Sequence, residues 1–466
     1  MFLVDGEKKK QIIILGAGAT GLSAGLRFID RGHDVVILEK AEHPGGLAKT
    51  ITRGEYRLDI GPHHLFSQNE EILKEIIDLF EKDELAIFNR DARLYFHDRY
   101  LDYPLTAKNV LFHMGFKNAF LCSASYIWTV VRRLFIKQEK EETFTTWIKN
   151  NFGNYLYKIF FKPYTEQFWG IPCEELSIDC IPLASKMSFM KTLKLLFIKP
   201  FNKESLAVGE RDTTLILYYP IKGVGEIVKK MRDSFLAKGG KMKLSCNVSN
   251  IASISDGSFT VHYQTKNEKN MEVSATHIIS TIPILNLVQV ITPAAPAVIN
   301  ESAKKLEYLS TIVLYIVIPD RDVFDCAYLY LVDRPFNRIS NVNRFHPDLC
   351  PKDENMLALE ITCHFNDNTW KSSDEELLGL CLPDLIADDF ISESEVKKYF
   401  SIRVKSAYPF YKLGYREHLE KIREHFERMP NLVIAGRTGA FKYMDIDQCM
   451  EDTAELANRF DRSGRI

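Results

Sequence analysis

The sequence predicts a mixed α/β fold: a Rossmann-like, dinucleotide-binding domain joined to a second domain made of an antiparallel sheet and a helical subdomain. Three observations carry that reading. Gln11 to Glu39 runs as strand, glycine turn, helix, strand. Residues 305 to 365 hold three apolar, strand-like runs. Residues 108 to 137 form a long helical stretch without a single acid. At 466 residues the chain also exceeds the about 250–300 residues at which single cores stop growing, so more than one lobe is expected.

The first unit organises the rest. Gln11-Ile12-Ile13-Ile14-Leu15 is a β-branched apolar run suited to a buried parallel strand. Gly16, Gly18 and Gly21 follow as G-x-G-x-x-G. The first glycine allows the tight turn, the second lets a pyrophosphate approach the backbone, and the third lets the helix pack on the strand. Leu22 to Arg31 continues as helix, and Val35-Val36-Ile37-Leu38 is the second strand, closed by Glu39. An acid roughly 20 residues past the glycines holds a ribose hydroxyl and repels a 2′-phosphate, which favours FAD or NAD over NADP.

Composition excludes several classes. The chain is 46% hydrophobic and 26% charged with a net charge of −2, which argues for a globular protein without a nucleic-acid partner. Nine cysteines without a C-x-x-C fit reduced thiols in a cytoplasmic protein, and no cysteine–histidine cluster has metal-site spacing, so no metal is expected. Met1 to Lys10 lacks the apolar core of a signal peptide. The run Ala119 to Val131 is shorter than the roughly 20 residues a membrane span needs.

After Glu39 the chain reaches His43-Pro44-Gly45-Gly46, whose paired glycines let backbone crowd a ligand, and then Gly61-Pro62-His63-His64-Leu65-Phe66-Ser67. The glycine turn, the Gly-Gly pair and the Gly-x-His-x-x-Phe-Ser segment together resemble the FAD-binding half of the amine oxidase, protoporphyrinogen oxidase and UDP-galactopyranose mutase superfamily. Pro44 stands where most of that superfamily has an arginine, which is closer to the mutase branch. The resemblance implies a glutathione-reductase-like flavoprotein architecture, with His63 beside the isoalloxazine.

The remaining elements follow in order. Glu70 to Lys82 has helical apolar spacing, and Arg93 to Tyr103 reads as a hairpin. Residues 108 to 137 form either a buried helix of the second domain or a membrane-facing or lid helix. Tyr164-Thr165-Glu166-Gln167-Phe168-Trp169-Gly170 resembles the mutase helix whose tyrosine stacks on uracil and whose tryptophan lies near the sugar. Those roles fall on Tyr164 and Trp169. Residues 186 to 203 are basic and amphipathic, fitting a lid or an anionic membrane surface. Tyr219 precedes a Pro-x-x-Gly turn like the family's return to the FAD domain. Lys241 to Val248 reads as one strand, with Val248 in the family's adenine-contacting position. Ser258 to Tyr263 and His277 to Ser280 are further strands. Ser373 to Phe400 reads as largely helical, with acids at its start. Gly436-Arg437-Thr438-Gly439 and Phe441 to Gln448 closely resemble the mutase signature, in which Arg437 meets the flavin or its pyrophosphate and Tyr443 meets the sugar-nucleotide diphosphate.

The resemblance implies FAD contacts from Gly16, Gly18, Ala19, Thr20, Gly21, Glu39, Lys40, Gly45, Gly46, Leu47, Gly61, His63, Val248, Gly436, Arg437, Tyr443, Met444 and Asp445. It implies substrate contacts from Tyr164, Trp169, Tyr219, Arg338, Tyr408 and Tyr443. No acid–base pair or triad presents itself, consistent with chemistry carried by the flavin. The segments expected are 1–100, 206–290 and 426–466 for the FAD domain, 101–205 for the helical subdomain and 291–425 for the antiparallel sheet. Two departures from the mutase pattern stand out. Leu309 replaces an arginine in a Tyr-Arg-Ser segment, with Arg338, Arg344 or Arg211 as candidate substitutes, and Phe66 replaces a second histidine.

Three functions are compatible with these residues. The favoured one is isomerisation of a nucleotide sugar between pyranose and furanose forms through reduced FAD, in surface polysaccharide synthesis. The alternative is an oxidase or desaturase of the protoporphyrinogen or amine type, acting on an apolar or amine substrate. The third is an FAD-bearing binding protein without catalysis. NADH or NADPH can reduce a flavin from solvent, so no second dinucleotide site is required. The expected location is cytoplasmic, with peripheral contact to a membrane surface.

Overall fold

The computed structural model describes residues 9–61, 63–89, 91–96, 99–102, 115–135, 142–181 and 216–463. The basic segment 186–203 and Arg211 lie outside these residues.

A five-stranded parallel sheet forms the first layer, in the order Leu432–Ile434, His277–Ser280, Gln11–Leu15, Asp34–Leu38, Lys241–Lys243. The central strand explains why its sequence is continuously apolar. Ile12 and Ile14 face helices Ala19–Asp30, Gly225–Ala237 and Ile446–Ser463, packing with Phe28, Met231, Phe235 and Phe460. Ile13 and Leu15 face the opposite side, where Phe259, Val261 and Tyr263 come from a second sheet. Strand alternation therefore feeds two cores at once.

The second sheet has the order Met271–Ala275, Phe259–Gln264, Asn247–Ser253, Ile291–Thr292. The stretch read as one strand over Lys241 to Val248 is thus two. The break falls at Ser245, which has φ +55°, and Cys246, whose N–H donates to Glu39 O at 2.8 Å. Lys241–Lys243 closes the parallel sheet, while Asn247–Ser253 starts the next one.

A seven-stranded sheet makes the other domain: Lys398–Pro409, Tyr308–Pro319, Glu354–Cys363, Arg338–Asn341, Tyr328–Leu331, Ala92–Phe96, Arg99–Asp102. It is antiparallel except where Tyr328–Leu331 pairs with Ala92–Phe96. The helix expected over Ser373 to Phe400 is shorter, Asp374–Ala387. Its start follows the expected chemistry, with a Ser373–Glu376 capping box. It ends before Asp389, which has φ +57°, and residues 398–400 join the long edge strand instead.

Helices Phe116–Phe135, Phe144–Phe152 and Lys162–Trp169 form the helical part. The last follows a π-helical turn, Tyr157–Phe161, and stops at Gly170 with φ +70°.

Candidate functional site

The parallel strands Leu432–Ile434, His277–Ser280, Gln11–Leu15 and Asp34–Leu38 all end at one edge, and the predicted cofactor residues meet there. Gly16 has φ +99°, and a Cβ on it would stand 2.5 Å from Thr281 Oγ1. A Cβ on Gly21 would stand 1.9 Å from Gly16 O, which leaves no room for any side chain. Gly18 and Gly45 form a parallel bridge, with Gly45 N–H donating to Ala17 O at 2.8 Å. A Cβ on Gly46 would lie 3.3 Å from Gly18 Cα. Leu47 sits in the short turn Gly46–Ala48 that follows.

This cradle suits a pyrophosphate. Helix Ala19–Asp30 begins at Gly18, has no side-chain cap and carries no acid in its first turn. Its leading N–H groups at Ala19, Thr20 and Gly21 and its dipole therefore favour an anion. Glu39 ends the second strand beside Lys40, and its carboxylate accepts from Ala17 N at 2.7 Å and Ala41 N at 2.7 Å. That grip fixes the carboxylate next to the turn, as a ribose hydroxyl requires. Val248 lies two residues past Cys246, whose N–H binds Glu39 O. Gly436, at φ +75°, would place a Cβ 2.3 Å from Thr20 Oγ1, so the C-terminal signature abuts the same turn.

The second half of the site comes from one face of the seven-stranded sheet. Tyr330 pairs with Arg338, and Arg338 with Glu360, in a row across three strands. Tyr328 shares that face, while Leu329, Ile339 and Leu359 point into the core behind. Arg338 Nε donates to Glu360 Oε1 at 2.7 Å, and Nη2 donates to the same carboxylate. The guanidinium also stands 5.1 Å from the Tyr328 ring centre and 5.9 Å from that of Tyr330. Gly61 and His63 lie against this row, since a Cβ on Gly61 would be 3.3 Å from both Glu360 Oε1 and His63 Cε1.

Around the row stand further aromatic rings. Tyr164 meets Tyr330 edge-on at 6.4 Å. Tyr408 and Tyr443 are parallel at 6.0 Å, and Arg437 lies 4.8 and 4.5 Å from their centres. Arg437 further donates to Ala407 O at 3.0 Å and Met444 O at 3.2 Å. Tyr443 N is held by the Tyr411 hydroxyl at 2.7 Å, and Asp445 N by Gln448 Oε1 at 3.0 Å. The structure therefore brings Tyr164, Arg338, Tyr408 and Tyr443 together with Arg437 and His63.

Two predicted substrate residues play other parts. Tyr219 is 1% exposed, and its hydroxyl donates to Asp59 Oδ2 at 2.6 Å, so it is a core residue. Trp169 packs on Phe410 and Tyr411 in the large core, and its neighbour Phe168 presents a ring to Tyr408 at 5.2 Å instead. Among the candidate replacements for the missing arginine, Arg344 is committed to Asp322 at 2.8 Å outside this cluster, whereas Arg338 lies in it. Leu309 pairs with Tyr408 in register but is fully packed in the core.

The sequence reading missed Phe168, Tyr328, Tyr330 and Glu360. Glu360 had a usable signal, because a lone acid in the apolar run Met356 to Thr362 is rarely buried without a partner. Among the described residues no group of His, Cys, Asp and Glu could hold a metal ion, and no helix is long and apolar enough to cross a membrane.

Burial and then the Arg338 and Arg437 charges push His63 down to about 3, so it is neutral at neutral pH. His64 is likewise pushed down to about 3, by burial first and then Arg338. Its ring stacks on Phe345 at 4.4 Å, and neither buried nitrogen has a hydrogen-bond partner. Below the ordinary histidine pKa the unfolded chain takes up a proton that folded His64 refuses. Stability should therefore fall as pH drops from about 6.5 toward 3. His64→Phe keeps the ring stack and takes up no proton in either state. Relative to wild type, the variant should gain roughly 1–2 kcal/mol between about pH 7 and pH 5 in urea unfolding. An unchanged difference between the two pH values would contradict the burial of His64.

Comparison with known proteins gives the family and the fold. A model of the flavin containing amine oxidoreductases matches residues 19–452. The chain belongs to that family. FAD is its cofactor, and it is an FAD-dependent enzyme, as the resemblance in the sequence implied. Crystallised reduced UDP-galactopyranose mutase superimposes with a TM-score of 0.78 at 20% identity, covering 97% of this chain and 96% of that one. A cofactor-redesigned triple mutant of putrescine oxidase gives 0.64 at 15% identity, covering 98% and 99%. Both likenesses concern the fold. In sequence, 1-hydroxycarotenoid 3,4-desaturase of Flavobacterium sp. (strain P99-3) is 28% identical over 228 residues. That match takes in 48% of this chain and only 36% of the desaturase.

Proposed function

We propose that this family member is a mutase-type flavoenzyme that isomerises a nucleotide sugar. The observation that carries the reading is the aromatic cluster around two guanidinium groups: Arg338 over Tyr328 and Tyr330, with Tyr164 edge-on to Tyr330, and Arg437 over the parallel Tyr408 and Tyr443 rings. Flat rings suit a nucleobase, and arginines suit a diphosphate leaving group. Bound FAD supplies the electron-rich ring at which the sugar reacts. The protein's part is to hold the sugar against that ring, keep His63 neutral and exclude water.

A second reading has its own support. Glu360 neutralises Arg338, and two Arg437 donors are spent on carbonyls, so few guanidinium N–H groups remain for a diphosphate. That balance suits an uncharged or amine substrate undergoing net oxidation, as the family's amine-oxidising and desaturating members do.

UDP titration of the holoprotein, followed by flavin fluorescence, separates the two. Saturable binding that tightens on dithionite reduction is expected for the mutase. Tyr164→Ala and Tyr443→Phe should then each weaken UDP by about tenfold or more while FAD stays bound. Absence of UDP binding in both redox states would remove the mutase reading and leave substrate-dependent oxygen consumption as the activity to pursue.

A further inference from the structure

Helix Phe116–Phe135 is amphipathic with its faces reversed. The side toward the protein carries Asn118, Ala119, Cys122 and Ser125. It packs closely: Tyr155 N donates to Ser125 Oγ at 3.0 Å, Tyr155 Oη to Asn118 Oδ1 at 3.0 Å, and a Cβ on Gly153 would stand 3.0 Å from Ser125. Small and polar residues let the backbones approach. The large apolar residues point the other way. Phe116 is 89% exposed, Phe120 64%, Trp128 69% and Phe135 82%, with Ile127 at 59%. At helical spacing these five fall within an arc of about 120°, over a length of about 30 Å. A continuous outward stripe of aromatic and branched side chains is larger than the scattered exposure normal for a protein surface.

The charges say what would cover it. The helix has no acid at any position, and its exposed cations are Lys117 near one end and Arg132 and Arg133 near the other. An apolar face with aromatic rings, bordered by cations at both ends, matches the boundary between acyl chains and anionic headgroups. With only one face apolar, the helix lies along such a boundary and does not cross it.

We infer that helix Phe116–Phe135 docks this enzyme on an anionic membrane surface, with Phe116, Phe120, Ile127, Trp128 and Phe135 inserted below the headgroups. The docking is independent of which substrate the flavin site takes.

Co-sedimentation of the holoprotein with vesicles of equal parts phosphatidylglycerol and phosphatidylcholine tests this. Binding is expected, with loss in pure phosphatidylcholine and weakening in high salt. A Phe120→Glu/Trp128→Glu double variant should bind about a hundredfold more weakly. Both side chains project from the fold, so the variant should keep its FAD and its melting temperature. Lys117→Gln/Arg132→Gln should lose the lipid selectivity while keeping the apolar face. Failure of the wild type to bind these vesicles would overturn the inference. So would a concentration-dependent dimer abolished by the Glu variant, which would make a second copy the occupant. Protection of Trp128 from acrylamide quenching without vesicles would also overturn it, because another part of the chain would then cover the face.

Discussion

Gly21→Ala is expected to give a protein that neither retains FAD on purification nor melts near the wild-type temperature. The new Cβ would stand 1.9 Å from Gly16 O and 3.1 Å from its carbonyl carbon, both backbone atoms that cannot rotate away. Helix Ala19–Asp30 would have to leave the strand that carries Gly16. Its displacement removes the uncapped N–H groups proposed to bind the pyrophosphate and opens the contact of Phe28 with Phe460, whose ring centres are 5.3 Å apart. A loss on the order of 3 kcal/mol in stability and at least about a hundredfold in FAD affinity is expected. Gly18→Ala separates the two effects. Its nearest neighbours are 3.9 Å away, so the apoprotein should tolerate it, while the Cβ enters the space between the turn and Gly45–Gly46. Gly379→Ala is the control: in helix Asp374–Ala387 it meets nothing within 4 Å and should gain up to about 1 kcal/mol. FAD absorbance and calorimetry on the three variants check the order. Full FAD occupancy in Gly21→Ala would show that the turn does not have this geometry.

The same residues show why this half was legible in the sequence. A glycine turn between a β-branched strand and a helix is dictated by contacts within about 30 residues, and local sterics determine which residue types fit. The proposed substrate side is legible only in part. Tyr164, Tyr408 and Tyr443 came from motif resemblance and do converge with Arg338. Their convergence depends on register between distant strands, which no local pattern encodes. The row Tyr330, Arg338, Glu360 exists only because three strands align those positions. Tyr219 and Trp169 pack into cores and not into this cluster, for a related reason. An aromatic residue reads alike whether it lines a site or fills a core, and only its packing separates the two. Helix Phe116–Phe135 illustrates the reverse difficulty. Its periodicity correctly gives a helix, but not which face turns inward, because the inward face is the polar one.

The hub at Asp59 connects the two halves, and its loss should cost the most stability of any single polar change at this interface. Asp59 is 3% exposed, and its carboxylate accepts from Thr50 Oγ1 at 2.6 Å, Tyr219 Oη at 2.6 Å and Val224 N at 3.2 Å. Thr50 Oγ1 in turn accepts from Gly225 N at 2.8 Å. The hairpin of Thr50–Arg53 and Tyr56–Asp59 thereby satisfies two of the unpaired N–H groups at the start of helix Gly225–Ala237, which has no side-chain cap of its own. The Asp59 carbonyl also accepts from Tyr315 Oη at 2.6 Å, anchoring the strand that leads into Gly61 and His63. Asp59→Ala would leave two hydroxyls and one amide buried without an acceptor, at roughly 1–3 kcal/mol each. A total of about 3–5 kcal/mol is expected, together with weaker FAD binding as the Gly61–His63 segment loosens. Tyr219→Phe removes one donor and leaves the hub in place, so it should cost only about 1 kcal/mol. Urea unfolding of both variants decides the point. If Asp59→Ala costs no more than Tyr219→Phe, the carboxylate bears no shared load and the hairpin is held by its apolar contacts with Val313 and Tyr315 alone.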